Sequence, residues 1–233
     1  MRYLIADFVT EYTPKYNNLR ELSESFIYSG DRETQIRLSV SDSYIEKTDK
    51  RMAVPDIGRT ETFVYGNAFN RTVINRHAML VHSSGIICNG NAYLFSADSG
   101  VGKSTHTRLW LKEFGDKVHI FNDDKPVIKI DGKKVTACGT PFDGGSGIAL
   151  NESAPLKAIV FIERSENNSV FVPSPKEIIK KLYFQTAHMV DAETAHAMLN
   201  NFDELLNSEV RFYVLRCNME SEAAHLAYNS IIE

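Results

Sequence analysis

Between residues 92 and 114 the chain runs from the apolar stretch Ala92 to Phe95 into Ser96-Ala97-Asp98-Ser99-Gly100-Val101-Gly102-Lys103-Ser104-Thr105. It then leaves through a helical pattern carrying Leu109, Trp110 and Phe114. A strand that breaks into a glycine-bearing loop ending in Lys-Ser-Thr, followed by a helix from about Lys103 to Phe114, is the sequence form of a phosphate cradle. Small residues at 97, 99, 100 and 102 let consecutive backbone N–H groups turn inward on a polyphosphate. Lys103 adds a positive charge, the Ser104 hydroxyl suits Mg²⁺, and the following helix aims the positive end of its dipole at the same anion. The strict Gly-x-x-x-x-Gly-Lys-Ser/Thr (Walker A) rule asks for glycine where this chain has Ala97, a residue still short enough for the turn. The expected nucleotide contacts are therefore Asp98, Ser99, Gly100, Val101, Gly102, Lys103, Ser104 and Thr105.

A length of 233 residues, 43% hydrophobic and 24% charged, suits one large domain or a domain with a small appendage. The net charge of −4 gives no broad basic field, so nucleic acid is not an expected partner. Cys88, Cys138 and Cys217 are widely spaced, which fits reduced core residues and not paired metal ligands. The N-terminal stretch Met1 to Phe8 is interrupted by Asp7, no segment has the length of a membrane span, and the cytoplasm is the expected compartment.

Two textures divide the chain. Residues 1–75 hold short strand-like runs at Tyr3–Val9, Gln35–Val40, Thr62–Tyr65 and Thr72–Ile74, with the charged stretch Glu46–Arg51 between them, and are expected to form a β-rich N-terminal region. Residues 76–233 alternate strands and helices, the pattern of a mixed α/β domain. Strands are expected at Met79–His82, Gly85–Cys88, Ala92–Phe95, Val118–Phe121, Val127–Ile130, Lys134–Cys138, Ala158–Ile162, Val170–Val172 and Arg211–Arg216. Helices are expected from Pro175 to Phe184, from an Asp191 cap to Leu206, and from Glu220 to Ile232.

A second chemical feature is Asn122-Asp123-Asp124-Lys125, at the end of an apolar strand about twenty residues beyond Lys103. An isolated Asp-Asp before Pro126 reads as a solvated turn; beside a phosphate loop, one acid can hold Mg²⁺ or its waters while the other accepts a proton from an attacking hydroxyl. His82 ends the strand that begins at Met79, with His77 as a competing candidate. The segment Gly139–Gly147, with glycines at 139, 144, 145 and 147, is a candidate for closing over an acceptor and equally for a plain connector. Lys125 and Arg211 are charged candidates near these strands.

In order, His82-Ser83-Ser84, the 96–104 loop and Asn122-Asp123-Asp124 resemble the catalytic domain of the HPr kinase/phosphorylase family, whose fold is related to the C-terminal half of phosphoenolpyruvate carboxykinase. Ser104-Thr105-His106-Thr107, Asn122-Asp123-Asp124-Lys125-Pro126, Gly139-Thr140-Pro141-Phe142, Pro155-Leu156-Lys157-Ala158 and Arg216-Cys217-Asn218-Met219 look closest to the small serine-kinase homologues of lasso-peptide gene clusters. Two departures stand out: Phe142-Asp143-Gly144-Gly145 replaces the usual Trp-containing segment, and the family's further metal-binding Glu has only Asp143 or Glu152 as substitutes. Nor do residues 1–75 look like the N-terminal domain of the full-length enzyme, so recognition of HPr is not implied.

The resemblance implies a P-loop kinase domain over 76–233, using ATP and Mg²⁺ to phosphorylate a hydroxyl, a serine of a peptide or protein or else a small metabolite. It also implies an enzyme compatible with homo-oligomers. Within it Lys103 and the loop hold the phosphates, Ser104 and Asp124 support the metal, Asp123 accepts the hydroxyl proton, and His82 lies beside the transferred group. Two other classes compete: a nucleotide-binding regulator without catalysis, and a carboxykinase-like lyase, which wants a basic pocket and a second metal site that the sequence does not assemble.

Overall fold

The computed structural model describes residues 1–186 and 191–232. Its layers follow from alternation along the central strands, where successive side chains point to opposite faces. In β6 (Asn91–Ser96), Ala92 and Leu94 enter one apolar cluster while Tyr93 and Phe95 enter another. In β10 (Ser153–Arg164), Ile159 and Phe161 separate in the same way from Ala158, Val160 and Ile162. The first face is covered by α5 (Pro175–Thr186) and α6 (Ala192–Leu206) through Ile178, Leu182, Met198 and Phe202. The second is covered by α4 (Lys103–Phe114) and α7 (Ser221–Ile231) through Trp110, Ala223, Ala224 and Ala227. With both faces buried, the strands read as near-continuous apolar runs.

The large sheet contains β4 (Ala78–Leu80), β5 (Ser83–Cys88), β7 (Val118–Asp124), β8 (Val127–Asp131), β9 (Lys134–Cys138), β11 (Ser169–Phe171) and β12 (Arg211–Cys217), besides β6 and β10. Its order is β4-β8-β9-β10-β6-β5-β7, with β12 also on β10 and β11 on β12. Twelve-residue β10 joins its two parts: Ser153 to Pro155 pair antiparallel with β9, then the strand pairs parallel with β6 from Leu156 and with β12 from Ala158. The β10–β6 ladder shifts register between Leu156 and Ala158, where the other edge of β10 passes from β9 to β12. Because β6 and β7 both run antiparallel to β5, they run parallel to each other, and β10 runs parallel to β6. The carboxyl ends of β6, β7 and β10 and the start of β5 therefore share one edge.

The N-terminal region departs from the β-rich expectation. Tyr3–Val9 is not one strand: β1 (Arg2–Ile5) and β2 (Phe8–Glu11) form a hairpin around Ala6 and Asp7, whose φ values are 49° and 67°. Two consecutive positive φ angles are the two-residue turn that matches strand twist. The Gln35–Val40 run contributes only β3 (Ile36–Arg37). Short helix α1 (Asn17–Leu22) follows the hairpin, and the charged stretch from Glu46 falls largely in α2 (Asp42–Asp49).

Thr62–Tyr65 and Thr72–Ile74 are not strands but turns of α3 (Ile57–Ile74). Their β-branched and aromatic residues suggested extended backbone, but Tyr65, Phe69 and Val73 recur every four residues and bury one helical stripe. Asp56 caps that helix, its side chain accepting from the N–H groups of Gly58 and Arg59. Buried Glu61 then accepts from Lys15 N at 2.7 Å and Tyr16 N at 3.0 Å, tying α3 to the start of α1. The resulting cluster joins Tyr3, Phe26 and Phe69 to Leu80, Val127 and Phe142, on both sides of residue 75.

Helix boundaries expected later in the chain agree closely with α5, α6 and α7, and Asp191 caps α6 by accepting from Thr194 N at 2.8 Å. All three cysteines are free and buried, and burial pushes the Cys138 and Cys217 thiols up to about 11. Among the described residues no helix is long and apolar enough to cross a membrane.

Candidate active site

The loop after β6 turns through Gly100 (φ 76°) and Gly102 (φ 129°), conformations that glycine adopts without a Cβ penalty. Ala97 has no positive φ, so the glycine of the strict pattern is not needed at that place. Nothing lies within 4 Å of where a Cβ would stand on Gly100 or Gly102, leaving the loop open there. Arg164, at the end of β10, donates to the carbonyls of Gly100 and Val101. Since a trans peptide places each carbonyl opposite the next N–H, that grip turns Gly102 N–H away from Arg164. Sequence reasoning missed Arg164, which lies more than sixty residues beyond the loop.

Lys103 opens α4, is 9% exposed, and folds its ammonium back onto the carbonyls of Ala97 at 2.9 Å and Asp98 at 3.4 Å. Burial pulls its pKa down, against the opposing pull of Asp124, Asp123 and Asp98. Register then brings the carboxylates to the same place: Asp124 faces Ser83 and Asp123 faces Ser84 across β7 and β5, while Ser83 faces Ser96 on β6. The Ser104 hydroxyl donates to Asp123 Oδ1 at 2.9 Å. Asp123 Oδ2 is buried with no protein partner. Asp124 instead takes a hydrogen bond from Lys125 Nζ and lies 3.5 Å from His82 Nε2. The adjacent acids thus point into different surroundings, as alternation along a strand requires.

His82 is the histidine brought to this edge; His77 is exposed and pairs with Glu204 at 2.9 Å. Burial and, next, Lys103 pull the His82 pKa down, while Asp124 pushes it up. Gln185, near the end of α5, accepts from His82 N through its backbone carbonyl at 2.9 Å and sets its side-chain oxygen 2.9 Å from His82 Nδ1. Its amide nitrogen donates to Asp98 Oδ1 at 2.9 Å. Sequence reasoning passed over Gln185 because nothing local marks it; only the packing of α5 on the sheet brings it there.

The Gly139–Gly147 segment packs over the acid pair. A Cβ on Gly144 would stand 2.8 Å from Asp124 Oδ2, and one on Gly145 would stand 3.0 Å from Arg59 Cζ. Asp143 is consumed inside this loop, accepting from Ser146 Oγ at 2.6 Å, Gly147 N at 2.7 Å and Gly145 N at 2.9 Å. Glu152 pairs with His119 at 2.7 Å. Helix α3 borders the same edge: Lys125 Nζ lies 5.6 Å from the centre of the Phe63 ring. Arg211 begins β12, where it pairs with Ala158, the start of the parallel ladder rather than the end that carries the site.

Among the described residues no group of three or more His, Cys, Asp or Glu side chains could hold a metal ion. The Ser104 hydroxyl and the partnerless Asp123 Oδ2 form a smaller oxygen set. Both are hard oxygen donors, the type that a hard cation such as Mg²⁺ takes in small number beside its waters. A cavity of about 620 Å³ flanks the loop, between the end of β10 and α5, with Asp98, Val101, Arg164, Phe184 and Gln185 on its walls.

No family model and no curated protein matches the chain. Among solved structures, the chain is similar to the HPr(Ser) kinase/phosphatase from Coxiella burnetii at 8% identity and a TM-score of 0.38, over 66% of this chain and 96% of that one. That likeness is a loose one of fold.

Proposed function

We propose that this chain is a kinase that transfers the γ-phosphoryl group of ATP, with Mg²⁺, to a hydroxyl, most simply a serine of a peptide or protein. The observation that carries this reading is the convergence at the start of α4 of Lys103, the Ser104–Asp123 pair and the His82–Asp124 pair. Loop amides from 99 to 104 and the N-terminus of α4 bind the phosphates, and Lys103 swings from the Ala97 and Asp98 carbonyls onto them. Ser104 and Asp123 would hold the magnesium ion. Mg²⁺ bound there supplies positive charge against the β- and γ-phosphate oxygens.

The surroundings of the two acids favour reversing the roles expected from the resemblance. Asp123 has the hydroxyl neighbour and the partnerless oxygen suited to a cation. Asp124 has His82, Lys125 and the Gly144 backbone around it, the side from which an acceptor would arrive. In the transfer, the acceptor oxygen bonds to the γ-phosphorus, the bridge to the β-phosphate breaks, ADP leaves, and the hydroxyl proton passes to Asp124. Residues 1–75 act with 76–233 by bringing α3 to the acceptor side. A small-metabolite hydroxyl is the competing acceptor.

The test is phosphate-sensitive mass spectrometry of the protein with Mg²⁺-ATP and a panel of serine peptides and hydroxylated metabolites, comparing wild type with Lys103→Ala and Asp124→Asn. A hydroxyl that gains about 80 Da, the mass of a phosphoryl group, only with wild type supports the kinase. ATP binding through Lys103 with no modified acceptor would leave a nucleotide-binding regulator in its place.

A further inference from the structure

Gln185 is 6% exposed and has both ends of its amide engaged, between a residue of the glycine loop and the histidine at the acid pair. A carboxylate only accepts hydrogen bonds, so the NH₂ end must face Asp98 and the carbonyl end must face His82. The carbonyl in turn only accepts, so the proton on the neighbouring imidazole nitrogen must be at Nδ1. Burial and the Lys103 charge favour the neutral ring, which carries a single N–H. That leaves Nε2 bare, 3.5 Å from Asp124 Oδ1, with two acceptors facing one another. Such a juxtaposition is relieved when a donor enters between them.

We propose that Gln185 is a positioning residue: directed by Asp98, it fixes His82 as the Nδ1–H tautomer and aims the bare Nε2, beside Asp124, at an incoming donor. The donor class is a hydroxyl, and the link to transfer rests on the kinase reading above; the tautomer does not. Because Asp98 belongs to the glycine loop, the orientation of His82 is coupled to the state of that loop. Gln185 touches no reacting atom itself.

The experiment is long-range ¹H–¹⁵N correlation of the imidazoles in the full chain labelled at histidine, with His82 identified by the signals lost in His82→Ala. Wild type should show a protonated Nδ1 and a bare Nε2. Gln185→Ala should convert this to a mixture of tautomers. Asp98→Ala, which removes the oxygen that accepts from the Gln185 amide while leaving Gln185 and His82 in place, should also give a mixture, and it decides the matter if Gln185→Ala does not fold. A wild-type Nε2–H tautomer, or an unchanged tautomer in Gln185→Ala and Asp98→Ala, overturns the proposal. In turnover assays Gln185→Ala should lower kcat by about 100-fold while KM for ATP stays within about threefold. Wild type with the Nδ1–H tautomer and no turnover on any acceptor would count against the kinase reading alone.

Discussion

The two walls of the candidate site are built in opposite ways. One is continuous in sequence: β6, the glycine loop and the first turn of α4 run from Asn91 to Ser104, and their roles follow from local chemistry. The other is assembled from His82, Asp124, Gly144, Gln185 and Arg59, which register and packing bring together from across the chain. A continuous wall can bind on its own, because backbone amides and a helix dipole need only a turn of the right shape. An assembled wall depends on the whole fold being formed, which suits chemistry that must wait for a bound partner. The expected division is nucleotide binding on the first and phosphoryl transfer on the second.

The largest effect should come from the continuous wall. Lys103→Ala should lower kcat/KM for ATP by about 10⁴-fold, because it removes charge from both the bound and the transferring phosphates. Its melting temperature should barely change, since the lost carbonyl bonds are offset by no longer burying an ammonium. Asp124→Asn, on the assembled wall, should slow transfer by about 10³-fold with nucleotide affinity intact, measured by single-turnover kinetics beside equilibrium binding.

A pH test reaches the helix behind the continuous wall. His106 is 3% exposed, its Nε2 accepts from Trp110 Nε1 at 3.0 Å, its Nδ1 has no partner, and burial pushes its pKa down to about 4. The folded ring resists a proton that the unfolded chain takes up below about 6.5. Stability should therefore be full above pH 6.5 and fall as pH drops toward 4, by about 3 kcal/mol, because the unfolded state binds more protons in that window. His106→Gln should flatten this part of the denaturation profile. Smallest is Gly144→Ala: its Cβ would press on Asp124 Oδ2, and turnover should fall about tenfold with an unchanged melting curve.

The same contrast explains what the sequence disclosed. That the loop, Lys103, Ser104, the acid pair and His82 meet was legible because they lie in adjacent residues or at strand ends; which acid faces which neighbour was not. Helices α5, α6 and α7 were legible because Pro175, Asp191 and Glu220 mark their starts. Helix α3 was hidden because Thr62–Tyr65 and Thr72–Ile74 have the β-branched and aromatic makeup of strands; tertiary burial of Tyr65, Phe69 and Val73 overrides that preference. The hairpin turn was hidden because Ala6 and Asp7, rather than Asn and Gly, hold its positive φ angles. Gln185 and Arg164 had no local signal at all. A sequence search with the twelve-residue β10 in hand would still not align Arg164 with a loop sixty residues earlier; only the parallel pairing of β10 with β6 does so.

The most direct measurement titrates Mg²⁺-ATP calorimetrically into wild type, Lys103→Ala and Asp124→Asn, and follows transfer to an acceptor in the same samples. If the two walls divide binding from transfer, Lys103→Ala loses binding and Asp124→Asn binds like wild type but transfers about 10³-fold more slowly. An Asp124→Asn protein that loses ATP binding, beside a Lys103→Ala protein that keeps it, would contradict that division.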